Sequence, residues 1–236
     1  MAFPETAWTV IAEAAEQDEA RARDALESIC RDYWPPVYSF LRKSGRNRPD
    51  AQDLTQGFFE TLVANDLLQV ANPEKGRLRS FLLGALKRFL SRQAERASTT
   101  KRGGGISFLP LEVQTAEEEF ERELRSEETP ESLYERAWAA HVVARARHAL
   151  EAEYGEKGKS ELYQELQKFL EWNPASASQE GSAERLGMTL ANLRTNIYRL
   201  RGRLRELLED EIAETVLDAG QVEEELEHLV QILQHN

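Results

Sequence analysis

The sequence predicts an all-α protein made of two small helical domains joined by a flexible, acidic linker. Three observations lead there. Apolar residues recur at three- and four-residue intervals in nearly every segment, the period of an amphipathic helix rather than the alternation of a strand. That periodicity fails between Ala97 and Pro130, where the three glycines Gly103, Gly104 and Gly105 precede a stretch rich in Glu. Charge is sorted into blocks instead of being spread along the chain.

Taken in order, Ala22, Leu26, Ile29 and Tyr33 mark a first helix. The pair Pro35-Pro36 is expected to stop it, because proline lacks the N–H that a helix interior needs. A short helix of about Val37–Lys43 follows and ends in the loop SGRNRP. Asp50 is the expected N-cap of the next helix, whose apolar side is Ala51, Leu54, Phe58, Phe59 and Leu62. After an Asn72-Pro73 turn, Leu78, Leu82, Ala85, Leu86 and Phe89 give the stripe of a helix over about Arg77–Arg96. These pieces form one helical domain over residues 5–97, followed by a linker over 98–129 with a short strand or turn at Ile106–Leu111.

Helical periodicity resumes near Leu133, with Trp138, Val142 and Ala149 on one side. A further helix covers about Ser160–Trp172. Beyond the loop WNPASASQEG come a short helix, a turn at Gly187 and a longer helix of about Thr189–Leu208, completing a second domain over 130–210. The segment 211–236 is an acidic extension, where Val222, Leu226, Leu229, Val230 and Leu233 share a helical face.

A net charge of −12 argues against nucleic-acid binding until its distribution is considered. Between Lys75 and Arg102 there are nine Lys or Arg and one acid, Glu95; between Arg185 and Arg205 there are six arginines and no acid. Residues 206–236 hold ten acids and no Lys or Arg. Two basic islands in an acidic chain point to two contacts with a polyanion, and the acidic linker and tail are expected to compete for them.

The segment SAERLGMTLANLRTNIYRLRGRLREL has the helix-turn-helix pattern. Leu190, Leu193, Ile197, Leu200, Leu204 and Leu207 form the core-facing stripe of its second helix. The remaining surface carries Asn192, Arg194, Thr195, Tyr198, Arg199, Gly202 and Arg205, residue types that read base edges or clamp phosphates. An ordinary solvated helix face would intersperse both signs of charge, and this one does not. In the other basic island, Arg77, Ser80, Gly84, Lys87, Arg88 and Ser91 lie opposite the Leu/Phe stripe, where they would follow a DNA backbone or form a solvated positive face. The helix PDAQDLTQGFF instead sets Asp50, Asp53, Gln56, Gly57, Glu60 and Thr61 on one face; such a face is unsuited to DNA and is either a solvated surface or a protein contact.

Enzyme chemistry finds no support. His141 and His148 have no surrounding ligand set, Cys30 has no nearby His, and no catalytic group or metal site stands out. One cysteine excludes an internal disulfide framework and fits a reducing compartment. The N-terminal stretch lacks the features of a signal peptide, and no apolar run approaches the roughly 20 residues that span a bilayer, so a cytoplasmic location is expected.

Five blocks, DAQDLTQGFFETL, YWPPVYSFLRKSG, KGRLRSFLLGALKRFL, KRGGG and LGMTLANLRTNIYRLRGRLRELL, together resemble bacterial RNA polymerase sigma factors of the sigma-70 family, most nearly the extracytoplasmic-function (ECF) group. The resemblance runs over roughly Thr6–Val216. It implies a region-2 domain at 5–97, a region-4 helix-turn-helix domain at 130–210, and a non-enzymatic role without cofactors. The partners it implies are promoter DNA, the β′ clamp and β flap of core RNA polymerase, and an anti-sigma factor or other regulator. It assigns polymerase docking to Asp50, Asp53, Leu54, Gln56 and Phe58. Contact with the −10 element would fall to Arg77, Arg79, Ser80, Lys87, Arg88, Ser91 and Arg92. Reading of the −35 element would fall to Asn192, Arg194, Thr195, Tyr198, Arg199, Arg201 and Arg205. On residue pattern alone, a helix-turn-helix regulator that does not bind polymerase, or a helical adaptor for acidic proteins, stays open.

Overall fold

The computed structural model describes residues 19–64, 77–97, 128–170, 178–216 and 219–234. Among them every regular element is helical: α1 (Glu19–Lys43), α2 (Arg48–Ala64), α3 (Leu78–Ala97), α4 (Pro130–Glu156), α5 (Ser160–Leu166) running into a 3₁₀ turn (Gln167–Leu170), α6 (Gln179–Arg185), α7 (Leu190–Ala213) and α8 (Ala219–Gln234). No helix among the described residues is long and apolar enough to cross a membrane. The Asn72-Pro73 turn, the KRGGG stretch, the expected short strand or turn at Ile106–Leu111 and the start of the WNPASASQEG loop lie outside the described residues.

Two compact units emerge. One comprises Met1–His141 with Ile212–Asn236; the other is Val142–Glu211. The boundaries therefore differ from the sequence expectation of 5–97, 130–210 and a separate 211–236 extension. The C-terminal helix belongs to the first unit, and the dividing lines fall inside α4 and α7.

In the first unit, α2 buries Ala51, Thr55, Phe58, Phe59 and Leu62, and α3 buries Leu78, Leu82, Ala85, Leu86 and Phe89. Both sets have the same spacing, i, i+4, i+7, i+8 and i+11, which lays one continuous stripe along a helix. Phe58 meets Phe59 and Phe89 edge-on at 5.2 and 5.8 Å, and Trp34 stacks on Phe59 at 5.9 Å. Buried Thr55 avoids an orphaned hydroxyl by donating to the Ala51 carbonyl at 2.7 Å. Leu133, Tyr134 and Trp138 of α4 and Leu226 and Leu229 of α8 are buried in the same unit.

Two local expectations are overturned. Pro35 and Pro36 do not end the first helix: α1 continues through both to Lys43. An interior proline costs a helix about 3 kcal/mol, but Ile29, Tyr33 and Trp34 before the pair and Val37, Tyr38, Phe40 and Leu41 after it are all buried. Burial on both sides of the prolines outweighs the lost backbone bonds. Nor is Asp50 the cap of α2. Asn47 holds that place, its side-chain Oδ1 accepting from the Asp50 N–H at 2.9 Å and its carbonyl from Ala51 at 2.9 Å. Asp50 sits in the first turn, where its charge suits the helix dipole.

The second unit has its own core of Leu150, Tyr163, Leu166, Phe169, Ala183, Leu193, Ile197 and Leu200, contributed by α4, α5, the 3₁₀ turn, α6 and α7. The helix expected over Ser160–Trp172 thus tightens into a 3₁₀ turn from Gln167, with Phe169 buried there.

Candidate nucleic-acid interface

The helix-turn-helix of the second unit is built from backbone rules upward. Ser178 caps α6, its hydroxyl accepting from the Gly181 N–H at 3.1 Å. At the other end, Gly187 adopts φ +61°, a left-handed conformation that side chains with a Cβ resist. There the Met188 N–H bonds the Ala183 carbonyl at 2.9 Å and the Gly187 N–H bonds Glu184 at 3.1 Å, the paired bonds of a Schellman stop. Leu186 and Met188 pack against the core and tie the turn down. Thr189 then opens α7: its hydroxyl accepts from the Asn192 N–H at 3.2 Å.

With Leu193, Ile197 and Leu200 buried, the opposite face of α7 is turned to solvent. Asn192, Arg194, Thr195, Tyr198, Arg199, Arg201 and Arg205 are all exposed there, as the sequence predicts for a reading surface. Tyr198 stands out at 80% exposure, an aromatic ring with no apolar cover. The seven side chains are not equivalent. Arg201 donates to the Phe169 carbonyl at 3.2 and 2.8 Å, and Arg205 bonds Glu209 at 2.7 Å, so both are tied to the unit's own surface. Arg194 is steadied by Gln179 at 3.0 Å, a neutral partner that leaves the guanidinium charge in place. Two further arginines of this basic island hold structure together. Arg203 bonds Glu153 at 2.6 to 3.2 Å and keeps its carboxyl below the usual range. Arg185 bonds Glu165 at 3.0 and 2.6 Å.

One part of this surface is not foreseen from the sequence. Lys157 and Lys159 flank the left-handed Gly158 and line a depression of about 670 Å³ of mixed charge, together with Tyr154, Arg199, Arg203 and the carboxylates Glu153, Glu156 and Glu206. Their cationic character is legible in the sequence; their nearness to α7, more than 30 positions away, is not.

In the first unit, α3 presents Ser80, Lys87, Arg88, Ser91 and Arg92 to solvent. Lys87 reaches Glu131 at 2.8 Å, with both side chains about half exposed, which is a weak tie. The N-terminal end of α3 departs from the expectation. Arg79 is 6% exposed and does not face solvent. Its Nε and Nη2 bond Glu225 at 2.7 and 3.1 Å, its Nη1 bonds Glu135, and the guanidinium lies 5.0 Å from the Trp138 ring. Arg77 is half-buried and pairs with Glu224 at 2.8 Å and Glu225 at 2.6 Å. The physical reason is rotational: on a wheel of about 100° per residue, Arg79 falls beside Leu86 at the edge of the buried stripe.

On α2, Asp50 and Asp53 are exposed, while Leu54 and Gln56 are half-buried and Gln56 donates to Glu60 at 2.9 Å. Phe58, expected on the docking surface, is 1% exposed and belongs to the aromatic core. His141 contacts Asp32 at 3.3 Å.

Comparison of the chain with protein-family models, with curated proteins and with solved structures finds no match.

Proposed function

We propose that this protein is a sigma factor of ECF-like type, a non-enzymatic subunit that brings core RNA polymerase to promoters. The observation that carries the proposal is the solvent-facing surface of α7, where Asn192, Arg194, Thr195, Tyr198 and Arg199 stand exposed behind a capped helix-turn-helix. Asn and Arg there suit adenine and guanine edges, and a major groove admits one helix. The ordered resemblance of the sequence blocks extends this from DNA binding to promoter recognition. In that reading Ser80, Lys87, Arg88, Ser91 and Arg92 follow the −10 strand, and Asp50, Asp53 and the exposed part of Leu54 and Gln56 dock on the β′ clamp. The chain then works in the cytoplasm, where the polymerase is.

Reconstitution on a sizing column tests the polymerase half. The proposal expects the chain to co-elute with core polymerase and Asp53→Arg to abolish co-elution while its helical circular dichroism is unchanged. A wild-type chain that never co-elutes leaves the second reading, a helix-turn-helix regulator independent of polymerase. That reading is favoured by one observation: Arg77 and Arg79 are engaged by the chain's own carboxylates, so α7 presents the less encumbered basic face.

A further inference from the structure

We propose that α8 is an intramolecular polyanion mimic: Glu224 and Glu225 occupy the N-terminal end of the α3 DNA face, and Arg77 and Arg79 bind phosphate only when α8 leaves. The inference rests on the reading of α3 as a DNA-contacting helix and concerns how that contact is regulated.

The geometry is that of an anion site already filled. Glu225 presents both oxygens to Arg79, at 2.7 Å to Nε and 3.1 Å to Nη2, and one of them also meets Arg77 Nη1 at 2.6 Å. Glu224 takes Arg77 Nη2 at 2.8 Å, and Glu135 takes the remaining Arg79 nitrogen. A carboxylate in a planar, two-pronged bond with guanidinium is chemically interchangeable with a phosphate there. The Tyr134 hydroxyl donates to the Arg79 carbonyl at 3.0 Å and the Trp138 ring lies beside the guanidinium, which fixes the arginine in place before any ligand arrives.

The placement of Glu225 is what separates this from ordinary core closure. It is 1% exposed and falls on the apolar side of α8, at the helical spacing of Val222, Leu226 and Leu229. Burying a carboxylate and a guanidinium together recovers little or nothing relative to apolar residues of similar volume. A helix that served only to cover the unit would be better made with apolar residues at both 79 and 225. Its apolar grip is modest, because only Leu226 and Leu229 among its described side chains are fully buried apolar groups. Glu223 and Glu227 are exposed, so the outer side of α8 also repels an approaching polyanion.

The experiment uses the full chain carrying Arg194→Ala and Arg199→Ala, which isolates the α3 face from α7, and a fluorescent random-sequence DNA duplex titrated over a range of NaCl concentrations. Adding E224Q and E225Q, which preserve shape and remove charge, is expected to tighten binding about tenfold at low salt and to steepen the salt dependence by about two, the yield of two more phosphate contacts. Adding Arg77→Ala to that protein is expected to return about half of both gains, the share of one of the two contacts. Unchanged affinity in a folded E224Q/E225Q protein overturns the proposal, as does a gain that Arg77→Ala leaves undiminished. Should E225Q unfold the chain, E224Q alone decides, because Glu224 is 68% exposed and reaches Arg77 from the rim: a gain of about twofold to threefold supports the proposal and none overturns it. No polymerase is present, so failure here leaves the sigma reading standing, and failure of polymerase co-elution leaves this result standing.

Discussion

Gly187 and Gly202 lie fifteen positions apart and have opposite roles. Gly187 holds φ +61° at the turn of the helix-turn-helix, whereas Gly202 sits mid-helix in α7, where an added Cβ would meet nothing within 4 Å. Gly187→Ala is therefore expected to destabilise the second unit by about 1–2 kcal/mol, and Gly202→Ala to stabilise it by about 0.5–1 kcal/mol. Urea denaturation followed by circular dichroism checks both signs. A shared sign would contradict the assignment of the turn. Gly187 is legible from sequence because it interrupts a helical pattern at a fixed place. Arg79 is not, since its acids lie 56 and 146 positions away in chain order. Two local clues do exist: Arg79 flanks the Leu/Phe stripe, and Glu225 interrupts the apolar stripe of the last helix.

At the scale of the element, helices are legible where one apolar stripe decides them, as in α3 and α8. They are not where two local signals compete. Pro35-Pro36 outranks apolar spacing in the sequence, yet the spacing prevails because both flanks of the pair are buried. Asp50 directly precedes the apolar stripe and so reads as the cap, whereas Arg48 and Pro49 before it already form the first helical turn. The bond joining α5 to α6 gives a pH prediction. Arg185, with Lys168 and Ser182, holds the Glu165 carboxyl down from its ordinary 4.5 to about 2, against burial, which pushes it up. The folded value is the lower one, so this stabilisation is complete above pH 4.5 and is lost as pH falls towards 2. Glu165→Gln is expected to be less stable than the wild type at about pH 6, with the difference closing in that window. Denaturation midpoints of the two proteins at about pH 6, 4 and 3 measure it; a gap that stays constant with pH would contradict the role of the charge.

For the whole molecule, the helical class is foreseeable from periodicity, but the membership of the two units is not. Nothing local tells that residues after Ile212 join the unit containing α1 to α3, because the decision is made by Leu226, Leu229 and the buried Arg79–Glu225 pair. The candidate sites divide along the same line. The exposure of the α7 face is legible almost residue by residue, since it follows from one helix wheel; that of the α2 and α3 faces is legible except at Leu54, Gln56, Phe58, Arg77 and Arg79, which packing withdraws partly or wholly from the surface. If these faces serve promoter-directed transcription, run-off synthesis from a promoter-bearing template by core polymerase plus this chain tests it most directly. The expected result is transcripts of one defined length that depend on the chain, fall at least about tenfold with Arg194→Ala plus Arg199→Ala, and do so without loss of polymerase binding. Transcription unchanged by adding the chain, on templates selected for binding it, would contradict the sigma-factor role.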